Sequence, residues 1–184
     1  MGSAIIGNVV GDPGLTLVGA VARRADRAGL DAGTAAGLDS PVGVAVENDL
    51  AAALQRVRPD VVVQATASTL ADAEPEIEIC LRAGADVVSI AEELVWPGAY
   101  SPSWAHRNDR LAAEHGATVL GTGVNPGFVM DLLAVVLANA AVTIDSIEVE
   151  RTNDLAPYGP TVLRSQGVGL TPEAFLDGVE AGEV

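Results

Sequence analysis

Two short runs, Asp60–Thr66 (DVVVQAT) and Asp86–Ala91 (DVVSIA), limit the folds open to this chain. Each is nearly continuous in β-branched and apolar residues, without the alternation that marks a strand with one wet face. Such runs suit strands buried on both sides, as in a parallel sheet covered by helices. Parallel neighbours need long crossovers, and the intervening segment through Pro75 to Gly84 reads as a helix. The same rhythm extends both ways. Leu15–Ala22 (LTLVGAVA), Val42–Val46 and Ala117–Leu120 read as strands. Asn48–Val57 carries Leu50, Ala53, Leu54 and Val57 on one helical face, and Ser101 with Pro102 opens a helix that ends at His115-Gly116. Ahead of them, Met1–Val10 shows helical spacing and stops at Gly11-Asp-Pro-Gly14. The expected class is α/β: a doubly wound parallel sheet built from right-handed βαβ units.

From Ile144 the pattern changes. Ile144–Arg151 alternates apolar and charged residues, which predicts a strand with one wet face and the start of a second α/β domain. The expected division is residues 1–142 and 143–184, with Asn153–Val168 as loop and a last helix opened by Thr171-Pro172-Glu173. No run approaches ~18 uninterrupted apolar residues and no basic flank precedes the first helix, so a membrane span and a signal peptide are not expected. A cytoplasmic protein is. Cys80 is the single cysteine and sits among Ile77, Ile79 and Leu81, which predicts a buried structural thiol. The formal charge is −15, and all ten basic residues are arginine. A surface that acidic repels nucleic acid and anionic membranes. It suits a salt-rich cytoplasm, and a GC-rich genome would also replace lysine by arginine.

In such sheets ligands lie beyond the carboxyl ends of the strands. Arg23 and Arg24 follow Leu15–Ala22, where a dinucleotide-binding fold places either an acid for a ribose hydroxyl or an arginine for a 2′-phosphate. Arginine points to NADP, with NAD possible. Thr66, Ala67 and Ser68 follow Asp60–Thr66 and offer small side chains to a nicotinamide ribose. Glu92 and Glu93 follow Asp86–Ala91, where partial burial would fit a carboxyl for proton transfer. Beyond Ala117–Leu120 comes Gly121-Thr-Gly-Val-Asn-Pro-Gly127, whose glycines suit either a ligand loop or a tight turn. Gly123, Asn125 and Pro126 are its candidate ligand residues, with Asn125 as N-cap and Pro126 at the first position of a helix Phe128–Asn139. His106 and His115 lie nine residues apart, off a shared ligand face, and no metal site is expected.

The run Ser89-Ile-Ala-Glu-Glu-Leu94, the stretch GTGVNPGFVMD at 121–131 and the segment Arg164–Phe175 resemble the 2,4-diaminopentanoate dehydrogenase family. That family lies within the dihydrodipicolinate-reductase-like group and includes native amine dehydrogenases. The resemblance implies a Rossmann-type coenzyme domain and a C-terminal α/β domain that completes the substrate pocket and often the dimer. It implies interconversion of amines and ketones with NAD(P)H, a small-molecule amine or ketone substrate, and an acidic residue near the ring for the ammonia proton. Glu92 or Glu93 matches that residue. It also implies a strand and G-x-G-x-x-G ahead of the first helix, with Gly2 as the third glycine, so the chain is expected to be a fragment lacking its first strand and most of its second domain. Two other readings stand beside this one. Dihydrodipicolinate reduction would need a His-His and lysine cluster where this chain has Arg151-Thr-Asn-Asp154, and the chain has no lysine. A nucleotide-binding fragment without catalysis is the second.

The charge carries its own test. Screening of self-repulsion should raise the thermal midpoint between dilute buffer and concentrated KCl. A flat or falling midpoint would leave genome composition as the cause of the missing lysine.

Overall fold

The computed structural model of the chain describes residues 1–156, 163–164 and 166–182. It contains two compact units, Met1–Ile147 and Glu148–Val184. The first unit runs α1 (Gly2–Gly11), β1 (Ala20–Val21), α2 (Ala32–Ala36), β2 (Val46–Glu47), α3 (Leu50–Val57), β3 (Val61–Gln64), α4 (Leu70–Arg82), β4 (Asp86–Ser89), α5 (Pro97–Tyr100), α6 (Pro102–His115), β5 (Val119–Gly121) and α7 (Leu133–Ala138). In the second, α8 spans Pro172–Ala181, capped by the Thr171 hydroxyl.

Among the described residues every strand pair is parallel, as the β-branched runs predict. β1 pairs with β2, Ala20 facing Val46. β3, β4 and β5 form a second sheet in that order, with Gln64 facing Ser89 and Ser89 facing Gly121. The α/β class is therefore observed directly. The core lies where α4 and α6 pack with this sheet: Ala73, Ile77 and Leu81 of α4 bury against Val87, Leu94 and Leu111.

Local chemistry explains the helix ends. Thr69 caps α4, its hydroxyl accepting the Asp72 N–H at 3.2 Å. The helix thus begins before Pro75, which it contains. Ser101 caps α6 through the Trp104 N–H at 3.4 Å, and Gly116, at φ +67°, ends it in the left-handed conformation. In the connection Asp26–Ser40, the Asp31 carboxylate accepts the N–H groups of Gly33 at 2.8 Å, Val42 at 3.0 Å and Gly43 at 2.8 Å. Those bonds, that from Val42 foremost, hold its carboxyl below the usual range despite some desolvation.

Three expectations are corrected. Leu15–Ala22 narrows to Ala20–Val21, because among the described residues β1 has one pairing partner. Its other edge faces a cavity of about 340 Å³, lined on the far side by β3. Ile144–Arg151 is not a strand: among the described residues no edge pairs with it, and Val142, Ile144, Ile147 and Val149 remain exposed. The helix expected over Phe128–Asn139 begins instead as a wide π-type turn, Phe128–Leu132, before the regular α7. Part of the loop expected over Asn153–Val168 lies outside the described residues.

Ile77 has no exposed surface. Ile77→Ala should lower unfolding stability by about 2–5 kcal/mol, read as a lower urea midpoint at unchanged slope. A loss of only a few tenths would show that α4 does not anchor the core.

Candidate active site

Because the strands run parallel, the turns after β1, β3, β4 and β5 all leave from carboxyl ends, where the sequence concentrates its polar and glycine-rich segments. Inside this edge lies a polar chain. Gln64, the last residue of β3, is 5% exposed, and Ser89, its partner on β4, is fully buried. The Ser89 hydroxyl donates to Gln64 Oε1 and accepts the Ala91 N–H at 3.0 Å. Gln64 Nε2 donates to Thr66 Oγ1 at 2.8 Å and to Glu76 Oε2 at 3.2 Å. Thr66 Oγ1 donates to the same carboxylate oxygen. Glu76 Oε1 accepts from Arg23 Nε at 2.7 Å.

Arg23 is therefore engaged by the protein's own acceptors, although its side chain is half exposed. Its other two nitrogens donate to the carbonyls of Thr66 at 3.1 Å and Asp72 at 2.9 Å. One guanidinium ties the end of β1 to the turn after β3 and to the first turn of α4. Arg24 points elsewhere and pairs with Asp26 two residues on, the side chains 71% and 59% exposed. Gly2, Arg23 and Thr66 line the cavity between β1 and β3; Arg24 does not.

Glu92 and Glu93 begin a short 3-10 turn, Glu92–Val95, directly after β4. Glu93 is half-buried. Its Oε2 accepts the Leu70 N–H at 2.8 Å, satisfying a free donor at the start of α4, and its own N–H donates to the Ser68 carbonyl at 3.4 Å. Glu92 is exposed. The Glu pair is thus joined to the Thr66–Ser68 turn, two segments that the sequence singles out separately.

The loop after β5 explains its own glycines. A Cβ on Gly121 would lie 2.7 Å from the Val95 nitrogen and closer still to the Leu94 carbonyl, so β5 can meet the Glu92–Val95 turn only without a side chain there. A Cβ on Gly123 would lie 2.8 Å from the Pro126 carbonyl. Gly127 stands at φ +125°, where its N–H donates to Asp131 Oδ2 at 2.7 Å. That departure from helical φ also corrects the expected cap. Asn125 and Pro126, joined by a cis peptide, lie outside the helix, and Gly127 occupies the capping position.

Burial, helped by the Glu76 charge, pushes the Cys80 thiol up to about 11, which leaves it inert and structural, as its apolar setting predicts. Among the described residues no cluster of His, Cys, Asp or Glu is placed to hold a metal ion, and no helix is long and apolar enough to cross a membrane. Gln64, Glu76 and Ser89 escape a reading by motif. A usable signal existed for two of them: Gln64 and Ser89 are polar interruptions at matching positions of two otherwise apolar strands.

Burial acts to raise the Glu76 carboxyl. The hydrogen bonds from Thr66, Arg23 and Gln64, with the Arg23 charge, outweigh it and hold the group below its ordinary value of 4.5. A carboxyl lowered on folding contributes stability above its unfolded value and loses it as pH falls through the folded one. The urea-midpoint gap between the wild type and Glu76→Gln should therefore narrow below about pH 4.5. A gap that stays constant from neutral to strongly acidic pH would show that the Glu76 charge adds nothing.

Two family models match the chain: dihydrodipicolinate reductase, N-terminus, over residues 1–90, and the 2,4-diaminopentanoate dehydrogenase C-terminal domain over residues 128–184. It is 42% identical over 123 residues to the 2,4-diaminopentanoate dehydrogenase of Acetoanaerobium sticklandii, covering 67% of this chain and 35% of that protein. It is 32% identical over 169 residues to an amine dehydrogenase of Streptomyces virginiae, covering 86% of this chain and 44% of that one. An amine dehydrogenase structure from Mycobacterium smegmatis matches 98% of the chain at a TM-score of 0.80 and 33% identity, over 53% of its own length. The chain spans less than half the length of these curated relatives. With matches at both ends and a shared fold, it belongs to the 2,4-diaminopentanoate dehydrogenase and amine dehydrogenase family of dihydrodipicolinate-reductase-like oxidoreductases.

Proposed function

We propose that this chain forms the coenzyme-binding part, and the beginning of the substrate domain, of an NAD(P)-dependent dehydrogenase acting on amines or diamino acids. The observation that carries the reading is the joining of the Glu92–Glu93 turn to the Thr66–Ser68 turn at the carboxyl edge of a parallel sheet. Relatives named as dehydrogenases of an amine and of 2,4-diaminopentanoate support the substrate class. The residues present fit a nicotinamide dinucleotide: Gly2, Arg23 and Thr66 line one cavity, and Arg24, the residue after Arg23, stands exposed. Gly2 and the Thr66, Ala67 and Ser68 backbone would approach the dinucleotide, with Gly123, Asn125 and Pro126 closing the nicotinamide end. Of the arginine pair, Arg24 would face a 2′-phosphate, favouring NADP, with Arg23 next to it held by Glu76. When bound, the coenzyme exchanges a hydride with the substrate carbon.

The chain's own part is proton handling. Either carboxylate of the Glu pair would take the ammonium proton, so that neutral ammonia meets the carbonyl carbon. Glu93 already accepts the Leu70 N–H. Glu92 is exposed, with no side-chain hydrogen bond among the described residues, which favours it as the acceptor with Glu93 fixing the turn. The division of labour proposed is residues 1–142 for coenzyme and the remainder for substrate. Dimerisation is supported by the exposed apolar side chains Val135, Val136 and Leu137 of α7. The setting proposed is cytoplasmic.

The test is a chimera in which this chain replaces the matching part of the Streptomyces amine dehydrogenase. Glu92→Gln should lower kcat for reductive amination by ~10²–10⁴-fold and leave NADPH affinity nearly unchanged. A large loss in Glu93→Gln alone would exchange the two roles. Near-normal turnover in both variants would move the proton acceptor out of this turn.

A further inference from the structure

We propose that Glu76 is a specificity-determining residue that governs preference for a 2′-phosphorylated nucleotide by holding Arg23 in an ion pair. The inference rests on the coenzyme reading above and adds to it a residue that no part of that reading uses.

Adjacent arginines at the end of β1 are in opposite states. All three nitrogens of the Arg23 guanidinium are engaged, by Glu76 at 2.7 Å and by the carbonyls of Thr66 and Asp72 at 3.1 and 2.9 Å. Among the described residues Arg24 has only Asp26, and both side chains are more than half exposed. Water and salt screen such a pair to little net strength, so an incoming dianion can displace Asp26 readily. Arg23 is different because its partner cannot turn away. Glu76 Oε2 is held by the Thr66 hydroxyl and by Gln64 Nε2, and Gln64 is in turn held by the fully buried Ser89. The carboxylate is fixed by the sheet, whereas the Arg23 side chain, 49% exposed, stands at the rim of the cavity. A guanidinium neutralised by a fixed carboxylate attracts a phosphate weakly, since the anion meets the charge of the pair and not of the arginine alone. Removing the Glu76 charge, with shape retained, would release Arg23 as a second phosphate ligand beside Arg24.

The experiment uses the chain as it stands and two nucleotide probes, 2′,5′-ADP and 5′-AMP, titrated by calorimetry. The wild type should prefer 2′,5′-ADP, and Arg24→Ala should erase the preference. Glu76→Gln should tighten 2′,5′-ADP about tenfold and leave 5′-AMP unchanged, and Glu76→Gln with Arg23→Ala should cancel the gain. A merely structural role for Glu76 would move both nucleotides together, and that outcome overturns the proposal. So does a gain that survives Arg23→Ala, or binding of both probes at an unchanged ratio in Glu76→Gln. Should Glu76→Gln fail to fold, the wild type still decides. On adding 2′,5′-ADP, the Arg24 Nε–H resonance should move and that of Arg23 should not; equal movement of both overturns the idea. Failure of the wild type to bind either probe overturns the coenzyme reading and this inference together, whereas the other failures leave the coenzyme reading standing.

Discussion

The level register of β3, β4 and β5 is the constraint on which the other features depend. Gln64, Ser89 and Gly121 face one another across three parallel strands, so the three following turns begin at one height. This brings Thr66–Ser68, Glu92–Glu93 and Gly121–Gly127 to a common edge without any contact having to gather them. It also buries Gln64 and Ser89, two polar side chains that must then find partners within the sheet. The chain of bonds to Thr66, Glu76 and Arg23 is the outcome, and it crosses from one sheet to the other.

Such a network has value only when every member is satisfied. Here the carboxylate gains three donors and the guanidinium three acceptors, and the Ser89 hydroxyl both donates and accepts. The contrast lies one layer away, where Trp104 Nε1 and Asn108 Oδ1 are buried without a partner among the described residues. The carboxyl edge is held by this polar chain, while the α4 and α6 layer is held by apolar packing with the Arg107–Glu74 ion pair across it.

Much of this was legible because it is local. β-branched runs located β3 and β4 within two residues, and Ser101, Pro102 and Gly116 marked the ends of α6, since caps and breakers act within one turn. The turns after the strands were legible as ligand-facing segments for the same reason. Glu76 was not: it lies on an exposed-looking helical stretch rich in acids, and its role comes from Arg23, 53 positions earlier. Ile144–Arg151 misled because alternation states which face is apolar and not whether an edge is present to pair with. Asn125 and Pro126 misled because a cap signature holds only if the next residue continues the helix, and Gly127 turns away.

The divided sheet has a dynamic consequence. No backbone ladder joins β1 and β2 to the three-stranded sheet among the described residues, and an apolar cavity lies between β1 and β3. Amides on the outer edges of β1 and β3 therefore depend on no cross-strand acceptor, whereas those of β4 are flanked by a strand on each side. Hydrogen exchange would run in two tiers, rapid for the layer formed by α1, β1 and β2 and slow for β4 and the helices over it. The first layer can open while the second stays closed, and the Arg23–Glu76 ion pair is a polar fastening between them. A nucleotide that gripped both layers would then act as a clamp, slowing exchange in the first tier far more than in the second.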